Sequence, residues 1–406
     1  MRQGHPPPRG RAYHGLALCL GSLTAIGPLA IDMYLPSFPA MAAEMATSVA
    51  AVQVSLAAYF AGIALGQAFY GPLSDRVGRR PALCIGLSVF TLASAGCALS
   101  SGVQALTGWR FMQALGGCAP IVVPRAVVRD YFDQRGSVRM LSQLMLVMGL
   151  APILAPLIGG QLLIRFGWRS VFWVLAAYGG ALTVLVLAVL RESLHPERRQ
   201  RQSLGEVLGV YARLARDPRY LWHVVTGGLV FAGLLAYISA SPHVFIELYH
   251  VPPERYGFYF GANAVGIITA SQVNRWLAAR AAPATVLRYV LPLAAASGLV
   301  MAFDAWTGAG GFYGLLVPLF CFIACYGFVL PNTTALAMAW HADVAGSASA
   351  LLGTIQFVLG TLAGIAVGAL SGTSALPLAG VIAACGICGW AVFVAADAAA
   401  IPAGRR

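Results

Sequence analysis

Lysine is absent from this chain of 406 residues; all 26 basic residues are arginine. A nucleotide-hydrolysing phosphate loop needs a lysine to reach the phosphates, so the chain carries none and is not by itself an ATP-driven pump. Charge of either sign is scarce, at 10% of residues, against about 25% in a soluble domain. No HExxH spacing and no paired-carboxylate cluster occurs, which argues against a membrane enzyme and against a metal site. The eight cysteines stand singly in apolar runs and are expected as small buried hydrophobes, Cys385 and Cys388 included. No small-residue cleavage site follows the basic and then apolar start MRQGHPPPRGRAYHGLALCL, so the first apolar run is read as a retained anchor.

What the chain has in quantity is hydrophobic residues, 59% of the total. They gather into long runs separated by short polar breaks, and a run of about 20 crosses the hydrocarbon core as a helix. Twelve runs are predicted as transmembrane helices: 13–36, 49–71, 81–100, 104–126, 138–163, 168–190, 221–246, 255–277, 285–305, 311–334, 345–370 and 376–398. The net charge of +12 reports topology rather than a nucleic-acid partner. With the amino terminus in the cytoplasm, only Arg165, Arg169 and Arg255 fall outside and Arg110 falls within a helix; every other arginine lies inside. An even helix count returns the carboxyl terminus to the cytoplasm.

The longest polar segment, 191–220, follows the sixth helix and divides the chain into a bundle at 1–190, a cytoplasmic connector and a bundle at 221–406. Part of the connector, 203–215, reads equally as an amphipathic helix on the membrane surface or as a solvated linker. The loop LSDRVGRRPA (73–82) has a weak echo in QVNRWLAARAAPA (272–284), with Asn274-Arg275 where Asp75-Arg76 stood. Such duplication predicts an all-α membrane protein of two pseudo-symmetric six-helix bundles that rock about a central cavity.

GPLSDRVGRRP (71–81) is the most specific local signal. Gly71, Pro72 and Gly78 permit a tight turn, and Asp75, Arg76, Arg79 and Arg80 place charge at the rim. This loop resembles the one between helices 2 and 3 of the major facilitator superfamily. WRFMQALGG (109–117) is similar to that superfamily's helix 4 motif, and APILAPLIGG (151–160) to the helix 5 motif of its drug:proton antiporters. With IDMYLP in helix 1, PRAVVRD at 124–130 and FGWRSVF at 166–172, the resemblance narrows to the Bcr/CflA group of bacterial multidrug exporters. The strong matches cover about residues 20–175. The resemblance implies a monomeric multi-pass protein of the bacterial inner membrane, energised by the proton gradient with no bound cofactor. Its implied cargo is a drug such as chloramphenicol, florfenicol, bicyclomycin or a sulfonamide; export of an endogenous metabolite or amino acid is the alternative.

Within this frame Asp32 is an acid in an apolar helix. Nineteen residues separate it from Tyr13, roughly 28 Å of helix, and Arg110 enters helix 4 from the other side by roughly 9 Å, so the two lie at comparable depth. A buried charge needs a partner or a wet cavity, so they are expected to face each other or to share one polar cavity. An apolar site favours the protonated carboxyl and a nearby guanidinium favours the ionised one; Asp32 is therefore the expected proton carrier and Arg110 its switch, a fixed structural ion pair being the alternative. Members of the group can carry a second acid two turns earlier, where this chain has Thr24 and Ala25. Candidate substrate contacts are Tyr34, Tyr59, Gln113, Tyr237, Asn263, Asn332 and Gln356. Candidate gating residues, besides the 71–81 loop, are Arg129, Asp130 and Asp343 on the inner side and Pro152, Pro156, Gly159 and Gly160 in helix 5, where small residues every four positions allow close packing and the prolines allow a bend.

Overall fold

The computed structural model describes residues 11–194, 204–341, 344–370 and 372–400. Among them the chain is helical throughout: α1 Arg11–Asp32, α2 Phe38–Glu44, α3 Val49–Val77, α4 Arg79–Leu99, α5 Val103–Tyr131, α6 Gln134–Phe166, α7 Arg169–Val189, α8 Leu204–Leu214, α9 Pro218–Pro242, α10 Pro253–Leu277, α11 Pro283–Thr307, α12 Gly311–Met338, α13 Ala345–Leu370 and α14 Leu376–Ala400. Among the described residues eleven spans are long and apolar enough to cross a membrane. Helix α10, 25 residues, matches them in length but is more polar, with Glu254, Arg255, Asn263, Asn274 and Arg275 along it. Side chains such as Leu92, Leu146 and Val184 point outward from the bundle, as expected where lipid replaces water.

The ends of the helices follow local chemistry. Ser48 and Asp133 cap α3 and α6 by accepting from Ala51 N at 3.2 Å and Gly136 N at 2.8 Å. Gly78 sits at φ +107° between α3 and α4, a conformation that a side chain would strain. Exposed Trp276, Tyr289 and Trp340 ring the arginine-rich side, and Trp306 and Tyr313 the opposite one, the placement an interfacial aromatic favours.

Helices α1 to α7 pack together, as do α9 to α14, and the two groups meet mainly along α3 with α13 and α6 with α10. The second pair is antiparallel and close: Gly160 lies against the backbone of Pro253 and Glu254, Gly257 against Leu157, and Gly261 against Ile153. The first pair is held near Gln53 and Gly368 at one end and Gln67 and Gly353 farther along, with Thr354 Oγ1 donating to Ala64 O at 3.2 Å. On the side away from most arginines, the tip of the first span also touches the segment 243–248. Toward the arginine-rich side a side chain added at Gly71 or Gly346 would meet nothing within 4 Å beyond its own helix.

Two expectations change. The first span does not end near 36 but runs on to Glu44, broken at residues 33–37 by a 3-10 turn, Leu35–Ser37. Pro36 has no N–H to offer the Asp32 carbonyl one turn earlier, so the α-helix stops there. The connector helix appears as α8, but it is docked rather than merely laid on a surface. Leu214 is buried with Tyr220, Val224, Ala337, Ala348 and Leu352, and Tyr211 OH donates to Ala68 O at 3.3 Å. Burial pushes the Tyr211 phenol above its ordinary pKa, which keeps it a donor.

The broken segment of the first span needs a smooth neighbour. Any Cβ on Gly159 would collide with the Met33 carbonyl, so α6 offers bare backbone at that level. Helix α6 itself stays continuous through Pro152 and Pro156, and no break marks a hinge within it. Gly159→Ala is expected to destabilise the folded protein by about 1–3 kcal/mol through overpacking. Gly180→Ala, where open space surrounds the position, should leave the unfolding temperature in detergent unchanged or slightly raised. Equal unfolding temperatures for the two variants would show that the Met33 contact is not tight.

Candidate functional site

Arg110 is the largest fully buried side chain. Its position on α5 aims the guanidinium between two aromatic faces, 4.2 Å from the Tyr34 ring centre and 4.1 Å from that of Tyr59; Phe172 stands at 5.8 Å. One nitrogen donates to Gln113 Oε1, and Gln113 Nε2 donates to Ser94 Oγ at 2.7 Å. Nε and the second terminal nitrogen have no hydrogen-bond partner. Cation–π contact in a desolvated site is worth about 2 kcal/mol or more per ring, so the aromatic pair supplies much of what a counterion would.

The counterion expected there is elsewhere. Asp32 is 3% exposed, and among the described residues it makes no ion pair and no hydrogen bond. The two charges lie at similar depth but do not touch; the 3-10 turn after Asp32 carries Tyr34, not the carboxylate, to Arg110. Asp32 instead lies within electrostatic reach of Tyr59 and, across the interface, of Tyr237 and Tyr256. A buried carboxyl without a cation at hand is one that can hold a proton.

Three of the seven candidate substrate residues, Tyr34, Tyr59 and Gln113, surround Arg110. Tyr237 and Asn263 form a second pair in the other bundle, with Asn263 Nδ2 donating to Tyr237 OH at 2.9 Å and Phe260 stacked at 5.5 Å. Asn332 is placed away from both: its amide donates to Asn274 Oδ1 at 2.6 Å, tying α12 to α10. Gln356 packs beside Gly228 of α9. Sequence reading passed over Tyr256, hydrogen-bonded to Ser241 at 2.7 Å, and Gln53, buried with both amide atoms unpartnered. A polar amide one turn into an apolar span was the available signal for Gln53. Among the described residues no group of three His, Cys, Asp or Glu could hold a metal.

A second polar centre sits at the arginine-rich end. Arg79 is 6% exposed; it pairs with Asp75 one turn back and with Asp130 of α5 at 3.0 Å, and donates to Ser74 Oγ at 2.8 Å. Arg80 donates to the Leu187 carbonyl at 2.7 Å, serving the last turn of α7. Arg76 and Arg129 are exposed and lie outside this network. Asp343, the remaining gating candidate on this side, falls outside the described residues.

The residue that organises this centre is one the sequence did not flag. Glu192, just after α7, accepts from Arg79 N at 2.9 Å and Arg80 N at 3.1 Å, capping the free donors of α4. A Cβ on Gly78 would meet its carboxylate at 2.5 Å, so Gly78 is needed for space as well as for its φ. Ser193 adds a hydrogen bond to Asp130 at 2.9 Å. Glu192→Ala is expected to cost about 1–2 kcal/mol, the range for loss of a helix cap, read as a lower unfolding temperature together with faster amide exchange at residues 79–82. Unchanged exchange there would show that the carboxylate does not hold this helix end.

These features can be set beside known proteins. The family model described as Major Facilitator Superfamily matches residues 20–365. An uncharacterized MFS-type transporter of Bacillus subtilis, YdgK, is 35% identical over 92% of this chain and 93% of its own. A bicyclomycin resistance protein homolog of Haemophilus influenzae is 30% identical over 91% and 92%, and the multidrug resistance protein MdtL of Escherichia coli 29% over 91% and 92%. Among solved structures, the xylose transporter XylE of E. coli in a partially occluded inward open conformation superposes with a TM-score of 0.72 at 12% identity, over 94% of this chain and 97% of that one; a likeness at that identity speaks to the fold alone.

Proposed function

From the premise that this chain belongs to the Major Facilitator Superfamily, and is therefore a membrane transporter, we propose that it exports amphiphilic drugs in exchange for protons. Asp32 is the proton carrier. The observation that carries this reading is the buried, unpartnered Asp32 carboxylate within a membrane-spanning segment, not paired with Arg110. A structural ion pair would have closed that gap.

The exchange cycle follows from competition for the guanidinium. While Tyr34, Tyr59 and Gln113 hold Arg110, Asp32 keeps its proton. A drug ring that displaces either tyrosine frees the guanidinium to approach the carboxyl, and the proton leaves. Substrate and proton thereby exclude each other, which antiport requires. Tyr237, Asn263, Asn332 and Gln356 are the proposed contacts from the second half, with 1–190 and 221–406 as the moving bodies. Asp75, Arg76, Arg79, Arg80, Arg129, Asp130 and Asp343 are the proposed gate at the arginine-rich side, and Gly159 and Gly160, with Pro152 and Pro156, the sliding surface on α6.

The names of the relatives support drugs as cargo, and the motifs of helices 1, 4 and 5 support the Bcr/CflA group, with bicyclomycin, phenicols or sulfonamides as the substrates to try first. The excess of arginine at one side supports an inner-membrane orientation with both termini cytoplasmic, and the resemblance to the Bcr/CflA group suggests a monomer. One acid implies one proton per cycle. At 100 mV one charge is worth about 2.3 kcal/mol, enough for roughly a fiftyfold drug gradient.

In acidified inside-out vesicles with a pH-sensitive dye, a panel of these drugs is expected to evoke proton release from wild type. Asp32→Asn should abolish the signal while leaving the protein folded and inserted. A mutant that responds like wild type would make Asp32 structural, and silence toward every drug would favour a metabolite as cargo.

A further inference from the structure

Arg110 is not the only arginine inside a membrane-spanning helix. Arg125 lies on α5 six residues before its end at Tyr131, about 9 Å above the arginine-rich rim. Its side chain lines a crevice between α1, α5 and α6 together with Thr24, Ile121, Leu144, Met145 and Met148. It is accessible, and among the described residues it has neither an ion pair nor a hydrogen bond. The carboxylates nearby are spoken for: Asp130 is held by Arg79 and Ser193, Asp75 by Arg79, and Glu192 by backbone donors. Arg129, one turn farther on and exposed, adds positive potential at the same mouth.

A cation kept at membrane depth without a counterion is costly and is found where it serves a ligand or a path. The wall around it suits the rest of such a ligand. Thr24 Oγ1 donates to Gly21 O at 2.8 Å and so presents its lone pairs, while the other side chains are apolar and two are methionines, which adapt to varied shapes. The crevice itself takes little more than one small group, so only the end of a ligand seats there.

We infer that Arg125 is a recognition site for an anionic terminal group, so that the preferred cargo is an amphiphile bearing a carboxylate or a comparable anion. This rests on the drug-export reading above and narrows its substrate class. The guanidinium presents a planar fork that matches a carboxylate in two hydrogen bonds, and the pair of arginines at the mouth draws anions in before binding. The charge balance has an energetic consequence. Exchange of one inward proton for a neutral drug moves one charge and supports roughly a 50-fold gradient at 100 mV; export of a monoanion moves two and raises the limit to roughly 2,000-fold.

The test uses a matched pair, chloramphenicol and its hemisuccinate ester, which share one body and differ by a carboxylate. Binding to purified full-length protein in nanodiscs is measured for wild type, Arg125→Gln and Arg125→Lys, each checked for a single folded peak. Wild type is expected to prefer the hemisuccinate by roughly 10- to 100-fold, the range for a charge-assisted hydrogen bond. Arg125→Gln should lose that preference and Arg125→Lys should keep part of it. A wild-type preference that survives Arg125→Gln overturns the assignment, as does equal binding of both compounds by wild type. Failure of folded wild type to bind either compound counts against the drug reading itself.

Discussion

The contact between the Met33 carbonyl and the bare backbone of Gly159 is the constraint from which the rest of the centre follows. Pro36 ends the first helix early, and the freed backbone would be expensive at membrane depth unless another element covers it closely. Glycine on α6 allows that cover. With the turn pinned there, Asp32 ends the helix facing the second bundle, and Tyr34, two residues on, is swung across to the guanidinium of Arg110.

Much of this was legible beforehand, and the misses have a common cause. Hydropathy marks where helices cross, and counting residues gives an expected depth, which sets Asp32 and Arg110 at one level. Depth is a single coordinate, however. The rotation of each helix about its axis decides which side chains meet, and the turn at 33–37 altered it where it mattered. Tyr34, Tyr59 and Gln113 were named as drug contacts because they are polar or aromatic in apolar runs; their engagement with Arg110 was hidden because a cation on an aromatic face leaves no spacing rule to read. Glu192 was hidden for another reason: its partners are backbone N–H groups, which every residue possesses.

The two bundles are stiffened by different means. In the first, ion pairs tie the helices at both ends: Arg79 bridges Asp75 and Asp130 on one side, and Glu44 accepts from Trp168 Nε1 at 2.6 Å and pairs with Arg169 on the other. In the second, the place of Asp75 is taken by Asn274, and a neutral amide pair with Asn332 ties α10 to α12, while Arg288 and Asp397 pair at 2.8 Å between α11 and α14. Neutral amides respond less to salt and to a passing charge than carboxylates do. The first bundle also holds Asp32, Arg110 and Arg125. Across the interface Phe60 of α3 meets Phe357 of α13 at 6.1 Å, and Phe357 packs on Phe231 within the second bundle at 5.1 Å.

The docking of α8 reaches beyond transport into biosynthesis. Leu214 is buried against Ala348 and Leu352, which leave the ribosome long after it. At about 5–20 residues per second, the roughly 130 residues between them take on the order of 7 to 30 seconds to make. For that interval α8 has its α3 contact at Ala68 but not its final seat, and its apolar face has only the bilayer surface to cover it. The connector therefore lives two lives in sequence: a surface-bound helix during synthesis, and afterwards a clasp that closes only once the penultimate helix has been inserted.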